Sequence, residues 1–385
     1  MSCVSFKRLA SVLILSLLAL CATGAINTFA FQTEVKSISP PKNPIPPEAA
    51  SADVTKFSFI VYGDTRGRRD GAEVQYEHWL IVDSAVATIK RLSTTAYPVK
   101  FVLQTGDAVL NGQDPNQWNI SYIPLINRLT TEAGVPYFLA PGNHDVTNAL
   151  DLNDPRRLKG LENYLKANSQ LIPPEGSPRR LSGYPTFSFG YGNTFVIGFD
   201  SNIGGDDKQF DWVKQQLESL DRKRYPNAIV FCHQPAFSSG PHEGGAARME
   251  PQTVAMRTKY MPLFRRNHVT ILFAGHEHLF EHWIERYEDN GRKYRMDEIV
   301  TGGGGAPIYT YNGEPDIRDY IASNKTEKVT LEHFVKPGME PGNNPYHYVV
   351  VRVDGEKIGL DVVGVDWGRD FAPYRSKHAD LGDPK

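Results

Sequence analysis

A chain of 385 residues, 40% hydrophobic and 22% charged, is long enough for one large globular domain or two smaller ones. Its 42 basic and 44 acidic residues leave a formal net charge of -2, so no global basic excess drives binding to nucleic acid or to a membrane surface. The cysteines are Cys3, Cys21 and Cys232, two of them in an apolar N-terminal stretch, which excludes a disulfide-stapled fold for the remainder.

In chain order, Lys7 and Arg8 precede the apolar run "LASVLILSLLALCATGAI". A basic start, an apolar middle and the small residues Ala22, Gly24 and Ala30 read as a signal peptide over residues 1–30, cut after Gly24 or Ala30. The alternative is an uncleaved membrane anchor, because the run approaches the length of a spanning helix. Residues 31–54 are proline-rich and read as an extended spacer. No composition break follows, so a single domain is expected over residues 55–374, with a loose polar tail over 375–385.

Within that domain, "FSFIVY" (57–62), "VKFVLQ" (99–104), "PYFLA" (136–140), "NTFVIGF" (193–199), "NAIVFC" (227–232) and "VTILFA" (269–274) read as buried strands. Residues 76–92, 207–220 and 253–266 carry helical apolar spacing, the second with Asp206 and Asp207 at its start. The later runs "DEIVTGG", "YHYVVVRV" and "IGLDVVGV" are strand-like, with "VDGEK" as a hairpin turn. Strands alternating with helices and then pairing antiparallel indicate layered α/β sheets covered by helices.

Five strand ends carry chemistry. The first ends at Gly63-Asp64, the second at Gly106-Asp107, the third at Gly142-Asn143-His144-Asp145, the fifth at Cys232-His233 and the sixth at Gly275-His276-Glu277-His278. Ligands of open α/β sheets gather at the carboxyl ends of strands. Asp, Asn and His without cysteine suit Mn, Fe or Zn, and two such ions sharing one carboxylate fit the number of donors. A lone strand-terminal Gly-Asp is ordinarily a turn; five such ends in one order are not explained by turns.

These motifs resemble the calcineurin-like metallophosphoesterases, the superfamily that includes the purple acid phosphatases. The pattern D-x-H, G-D, G-N-H-D/E, a strand-terminal His and G-H-x-H runs here from Asp64 to His278, and "VTGGGGAP" (300–307) is similar to a segment that follows the last motif in secreted members. The resemblance implies a four-layer α/β/β/α sandwich of two mixed sheets flanked by helices. It implies two divalent or trivalent transition metal ions (Fe, Mn or Zn): Asp64, Asp107 and His278 for the first, Asn143, His233 and His276 for the second, with Asp107 bridging. It further implies hydrolysis of a small phosphate ester by a metal-bound hydroxide, with Asn143 and His144 on the phosphoryl group, His144 as acid, and Asp145 orienting that imidazole.

Two positions depart from the pattern. Arg66 stands where the motif-one histidine is expected; it has donors but no acceptor, so it cannot ligate a cation. Leu110 stands where purple acid phosphatases carry an iron-bound tyrosine; Asn111 is a candidate extra oxygen. Arg66 is read as a clamp for substrate phosphate, as a structural partner for a carboxylate, or as the mark of a weakened site. His242, in a Gly-rich loop, is a further candidate for phosphate contact, against a solvated loop histidine. The expected protein is an exported phosphatase, periplasmic or extracellular, that acts on phosphomonoesters. Phosphodiesterase activity on nucleotides or lipid head groups and a weakened phosphate-binding module are the alternatives. No feature indicates nucleic-acid binding, and any membrane tether would run through the N-terminal segment alone.

Overall fold

Alternate residues of the first strand, β1 (Lys56–Tyr62), face two different cores. Phe57, Phe59 and Val61 point into one apolar cluster and Ile60 and Tyr62 into another, as the two-residue period of a strand requires. A strand buried on both faces belongs in the interior of a layered fold. The computed structural model describes residues 33–67, 71–149, 151–338, 345–366, 369–370 and 380–381.

Among these residues, two seven-stranded sheets pack face to face. In the first, β1 lies parallel to β2 (Val99–Gln104), which lies parallel to β3 (Tyr137–Leu139). The second sheet begins with an antiparallel pair, β4 (Phe187–Tyr191) and β5 (Thr194–Gly198). It continues in parallel through β6 (Asn227–Phe231) and β7 (Ile271–Ala274) to β9 (Arg292–Thr301), whose hairpin partner is β8 (Phe280–Asp289). β10 (Thr330–Val335) closes that edge against β8. The chain then returns to the first sheet as β11 (Tyr346–Asp354), antiparallel to β1, and β12 (Lys357–Asp366). The short strands β13 (Arg369–Asp370) and β14 (Asp380–Leu381) both pair with β12. Both sheets are mixed.

Helix α1 (Tyr76–Leu92) and α2 (Pro155–Ala167), with a helical run over residues 117–132, cover the first sheet. Asp154 caps α2 by accepting from the Arg156 N–H at 2.8 Å, with Pro155 at the first helical position. Helix α3 (Asp207–Glu218), capped by Asp206, and a run over residues 251–266 cover the second sheet. The aromatic cluster of Phe57, Phe101, Phe138, Phe189 and Phe231 fills the space between the sheets. The order is therefore helix, sheet, sheet, helix.

The expected spacer is part of this body. Val35 and Ile38 are buried in the first core, and the Lys36 and Ser39 N–H groups donate to Asn119 and Asn127 at 2.7 and 2.8 Å. Glu48 accepts from Arg179 Nε and Nη2 and from the Tyr225 hydroxyl. The prolines set an extended backbone, but the apolar residues between them find a groove, so the compact unit begins at Glu34 rather than 55. In the expected tail, Asp380–Leu381 pair as β14. The expected signal segment, residues 1–30, lies outside the described residues, as do Arg68 and Arg69. Among the described residues, no helix is long and apolar enough to cross a membrane.

Candidate metal centre

The five strand ends meet. Asp64 follows β1, Asp107 follows β2, Asn143 and His144 follow β3, His233 follows β6, and His276 and His278 follow β7, all at carboxyl ends. Asp64, Asp107 and His276 hold positive φ of 58°, 53° and 69°. Such backbone is costly for residues with a Cβ and gathers at functional turns. All three are tied into neighbouring turns: the Asp64 N–H donates to the Gly106 carbonyl at 2.9 Å, the Asp107 carbonyl accepts the Thr65 and Arg66 N–H groups at 3.0 and 3.1 Å, and the His276 N–H donates to both Asp64 oxygens at 3.0 Å.

Three donors expected for the second ion converge. Asn143 Oδ1 lies 2.8 Å from His233 Nε2 and 3.2 Å from His276 Nδ1, and the two imidazole nitrogens are 3.2 Å apart. His233 Nδ1 is spent on the Thr105 carbonyl at 2.8 Å, so its Nε2 is the lone-pair nitrogen. His278 is set in the same way: Nδ1 donates to the Pro307 carbonyl at 2.8 Å and Nε2 faces Asp64 Oδ1 at 3.6 Å. Asp107 stands between the groups, with Oδ1 3.4 Å from His233 Nε2. Asp64, Asp107 and His233 bring one donor atom each within 4.8 Å of one another. Neutral imidazoles and carboxylates packed with donor atoms inward suit a transition cation.

Electrostatics set the two carboxylates apart. Burial, and then the neighbouring Asp107, push Asp64 well above the usual carboxylate range. Burial would raise Asp107 too, but His233, His144 and Arg66 outweigh it and hold it below that range. Burial keeps His233 down at about 4 and His278 at about 3, so both imidazoles are neutral near pH 7.

Arg66 reaches into the first half of this cradle. Its Nε is 3.2 Å from Asp107 Oδ2 and its Nη2 3.4 Å from His278 Nε2. It is thus the partner of a carboxylate, one of the roles anticipated for it. Asn111 does not supply an oxygen to the centre; its Oδ1 accepts the Gln113 N–H at 3.1 Å in a local turn. His242 lies over the second half, its ring 4.5 Å from that of His276 and its backbone N–H on Glu277.

The expected role of Asp145 is corrected. His144 Nδ1 donates to the Leu110 carbonyl at 2.7 Å, leaving Nε2 4.0 Å from Asp107 Oδ2. Asp145 instead accepts the Val109 and Gly142 N–H groups at 3.1 and 2.8 Å, completely buried. A carboxylate tied to two backbone amides of adjoining turns is a brace, and it points away from the imidazole it follows.

Two contributors carry no strand-end signal. Glu250 Oε2 lies 3.2 Å from His276 Nε2, and Tyr309 stacks on His278 with ring centroids 4.0 Å apart. Glu250 stands alone in a loop and Tyr309 follows the glycine run, so neither shows in any spacing pattern. That run, "GGGG" at 302–305, backs the first motif: the Gly304 N–H donates to the Gly63 carbonyl and the Ala306 N–H to the Asp64 carbonyl, each at 2.7 Å. A Cβ on Gly302 would lie 2.2 Å from the Glu277 carbonyl and 2.8 Å from Asp64 Oδ2.

A calcineurin-like phosphoesterase family model matches residues 57–280, more than half of the chain and all five strand ends. The chain belongs to the calcineurin-like phosphoesterases. Within that family it is similar to the Fe(3+)-Zn(2+) purple acid phosphatase 12 of Arabidopsis thaliana, 26% identical over 226 residues, 55% of this chain and 44% of the relative. It is also 26% identical to a purple acid phosphatase of Glycine max over 274 residues, 67% of this chain and 54% of the relative. A purple acid phosphatase from yellow lupin seeds shares the fold, with a TM-score of 0.57 at 15% identity, covering 83% of this chain and 53% of the lupin chain. The chain spans about half the length of the relatives it matches.

Proposed function

We propose that the chain is an exported, metal-dependent phosphoesterase that hydrolyses small phosphate esters, with monoesters preferred. The observation that carries this reading is the convergence of Asp64, Asp107, Asn143, His233, His276 and His278 at five strand ends, with His144 at the rim. Asn143, His233 and His276 would hold one ion, and Asp64 and His278 another, with Asp107 between. Fe, Mn or Zn matches these donors. When bound, the ions supply the positive charge and the activated water that ester hydrolysis needs.

The side chains divide the remaining work. His144 presents Nε2 toward the cradle because Nδ1 is committed to the Leu110 carbonyl; as an imidazolium, with a proton on both nitrogens, it would hand the Nε2 proton to the leaving oxygen. Arg66 offers a planar fork to phosphate oxygens. His242, half-exposed beside His276, is placed to meet the same group. Export rests on the basic start and apolar run of the first thirty residues.

One observation favours a second reading. Arg66 pairs with the bridging carboxylate, as it would in a weakened site that only binds phosphate. The deciding experiment compares p-nitrophenyl phosphate with bis-p-nitrophenyl phosphate after reconstitution with Fe, Mn or Zn, using Asp107→Ala as control. Faster monoester turnover supports the proposal, and faster diester turnover makes the chain a phosphodiesterase. Phosphate binding without turnover of either ester identifies the binding module.

A further inference from the structure

The two halves of the cradle are unequal. In the second, Asn143 Oδ1, His233 Nε2 and His276 Nδ1 lie 2.8 to 3.2 Å apart, and among the described residues no Lys or Arg is bonded to any of the three. In the first, two of the three donor atoms are already engaged by a cation. Arg66 Nε takes Asp107 Oδ2 at 3.2 Å, and Nη2 takes His278 Nε2 at 3.4 Å. The guanidinium is a planar fork of donors with no lone pair to offer, so it occupies these two atoms as a cation and cannot itself serve as a ligand.

The pair is no solvent-screened surface contact. The Arg66 side chain is 17% exposed and that of Asp107 2%. Breaking a buried pair by withdrawing one partner is strongly unfavourable, unless another cation takes its place. The backbone does not need to move: the Arg66 N–H is fixed on the Asp107 carbonyl at 3.1 Å, so only the side chain must swing. A swung guanidinium remains tethered at the rim, where phosphate oxygens would arrive.

We propose that Arg66 is an internal competitor for the first metal position, so that the chain loads its two ions unequally. The second position fills tightly. The first fills only by displacing Arg66 from Asp107 and His278, and that displacement frees the fork for substrate phosphate. This rests on the metal-dependent reading above, and extends it from which residues hold ions to the order in which they do so.

Equilibrium dialysis of the full chain against graded free Co²⁺, with bound metal measured directly, tests this without reference to turnover. The wild type should take up two equivalents in separate steps, spaced on the order of 100-fold, as expected where a buried pair must be broken first. Arg66→Ala removes the competitor and adds no ligand, so it should tighten the second equivalent by about tenfold or more. Arg66→His adds a ligand as well and should tighten it further. The tight first equivalent reports that each variant is folded; Arg66→Gln replaces an Ala variant that has lost it. Equal affinities for both equivalents in the wild type overturn the proposal. So does an Ala variant whose second equivalent stays as weak as before, because the weakness would then come from a missing ligand. No Co²⁺ bound by any variant overturns the metal-dependent reading itself, and the proposal with it.

Discussion

Glu250 stands behind His276. Its Oε2 lies 3.2 Å from Nε2 of the ring, whose Nδ1 is turned toward Asn143 and His233. Its other oxygen is 3.7 Å from His242 Nδ1, so one carboxylate addresses two imidazoles at the same end of the cradle. Both histidines, and first of all His242, draw Glu250 well below the usual carboxylate range. A carboxylate behind a ligating imidazole fixes its orientation and raises its basicity, and losing one costs roughly 10- to 100-fold in metal affinity. Glu250→Gln should therefore release the more tightly held ion faster to a chelator, with the melting temperature of the metal-free chain nearly unchanged. Equal release rates would reduce Glu250 to a loop anchor.

His144 and Asp145 are neighbours in sequence with separate tasks, and their variants should part accordingly. His144→Ala should lower kcat by about 10²- to 10⁴-fold, the usual worth of a positioned acid, with metal content retained. Asp145→Ala would leave the Val109 and Gly142 N–H groups buried without an acceptor. Each such loss costs about 1–3 kcal/mol, so this variant should show first as a lowered denaturation midpoint. An Asp145→Ala protein of full stability and low kcat would return Asp145 to the catalytic role that its place in the motif suggested.

The centre was legible because its donors sit at strand ends, where short apolar runs stop at Gly, Asp or His. Four layers, both sheets and all six proposed ligands followed from that regularity and the family likeness. What stayed hidden has a common physical cause. β8 carries Glu281, His282 and Glu285 in its buried stretch, and each is satisfied by a distant partner: Ser238 and Ser239, Asp297, and Arg265. Internal pairing of polar groups erases the apolar alternation by which a strand is recognised. Helix α2 is masked likewise, with Arg157 and Asn163 buried on its inner face, Arg157 on Asp200 at 2.5 Å. Arg66 was visible, but its partner was not, because no spacing tells a clamp on phosphate from a hold on Asp107.

Gly142 is the tightest point of the third strand end. A Cβ there would lie 2.2 Å from both the backbone nitrogen and Oδ1 of Asp107. Both atoms are held in place: Oδ1 also accepts the His144 N–H at 3.0 Å, and the Asp107 carbonyl accepts the Thr65 and Arg66 N–H groups at 3.0 and 3.1 Å. Gly142→Ala should therefore push Asp107 out of register. Activity should fall by about 10²-fold or more, the cost of misplacing a reacting centre by an ångström, and bound metal should fall with it. Normal metal content in a folded Gly142→Ala chain would mean that the turn has slack that this contact distance denies.

Two histidines away from the cradle should make the chain acid-sensitive. Burial holds His78 down at about 3 and His347 at about 4, against an ordinary value of 6.5. His78 sits between the Tyr62 hydroxyl at 3.2 Å and Gln75 Oε1 at 2.8 Å, and His347 donates from Nδ1 to the Pro345 carbonyl at 2.9 Å. Neither has a carboxylate among these partners to support a charge. Below pH 6.5 the unfolded chain binds protons that the folded chain refuses until about pH 3 or 4. Stability therefore rises with pH across this window, by roughly 1.4 kcal/mol per pH unit for each group. The contribution is complete above pH 6.5 and lost as pH falls. Denaturant midpoints of wild type and His78→Gln, taken from pH 4 to pH 7, should show a shallower slope for the variant. Parallel profiles, or a folded-state His78 resonance that titrates near pH 6.5, would show that its pocket admits the charge.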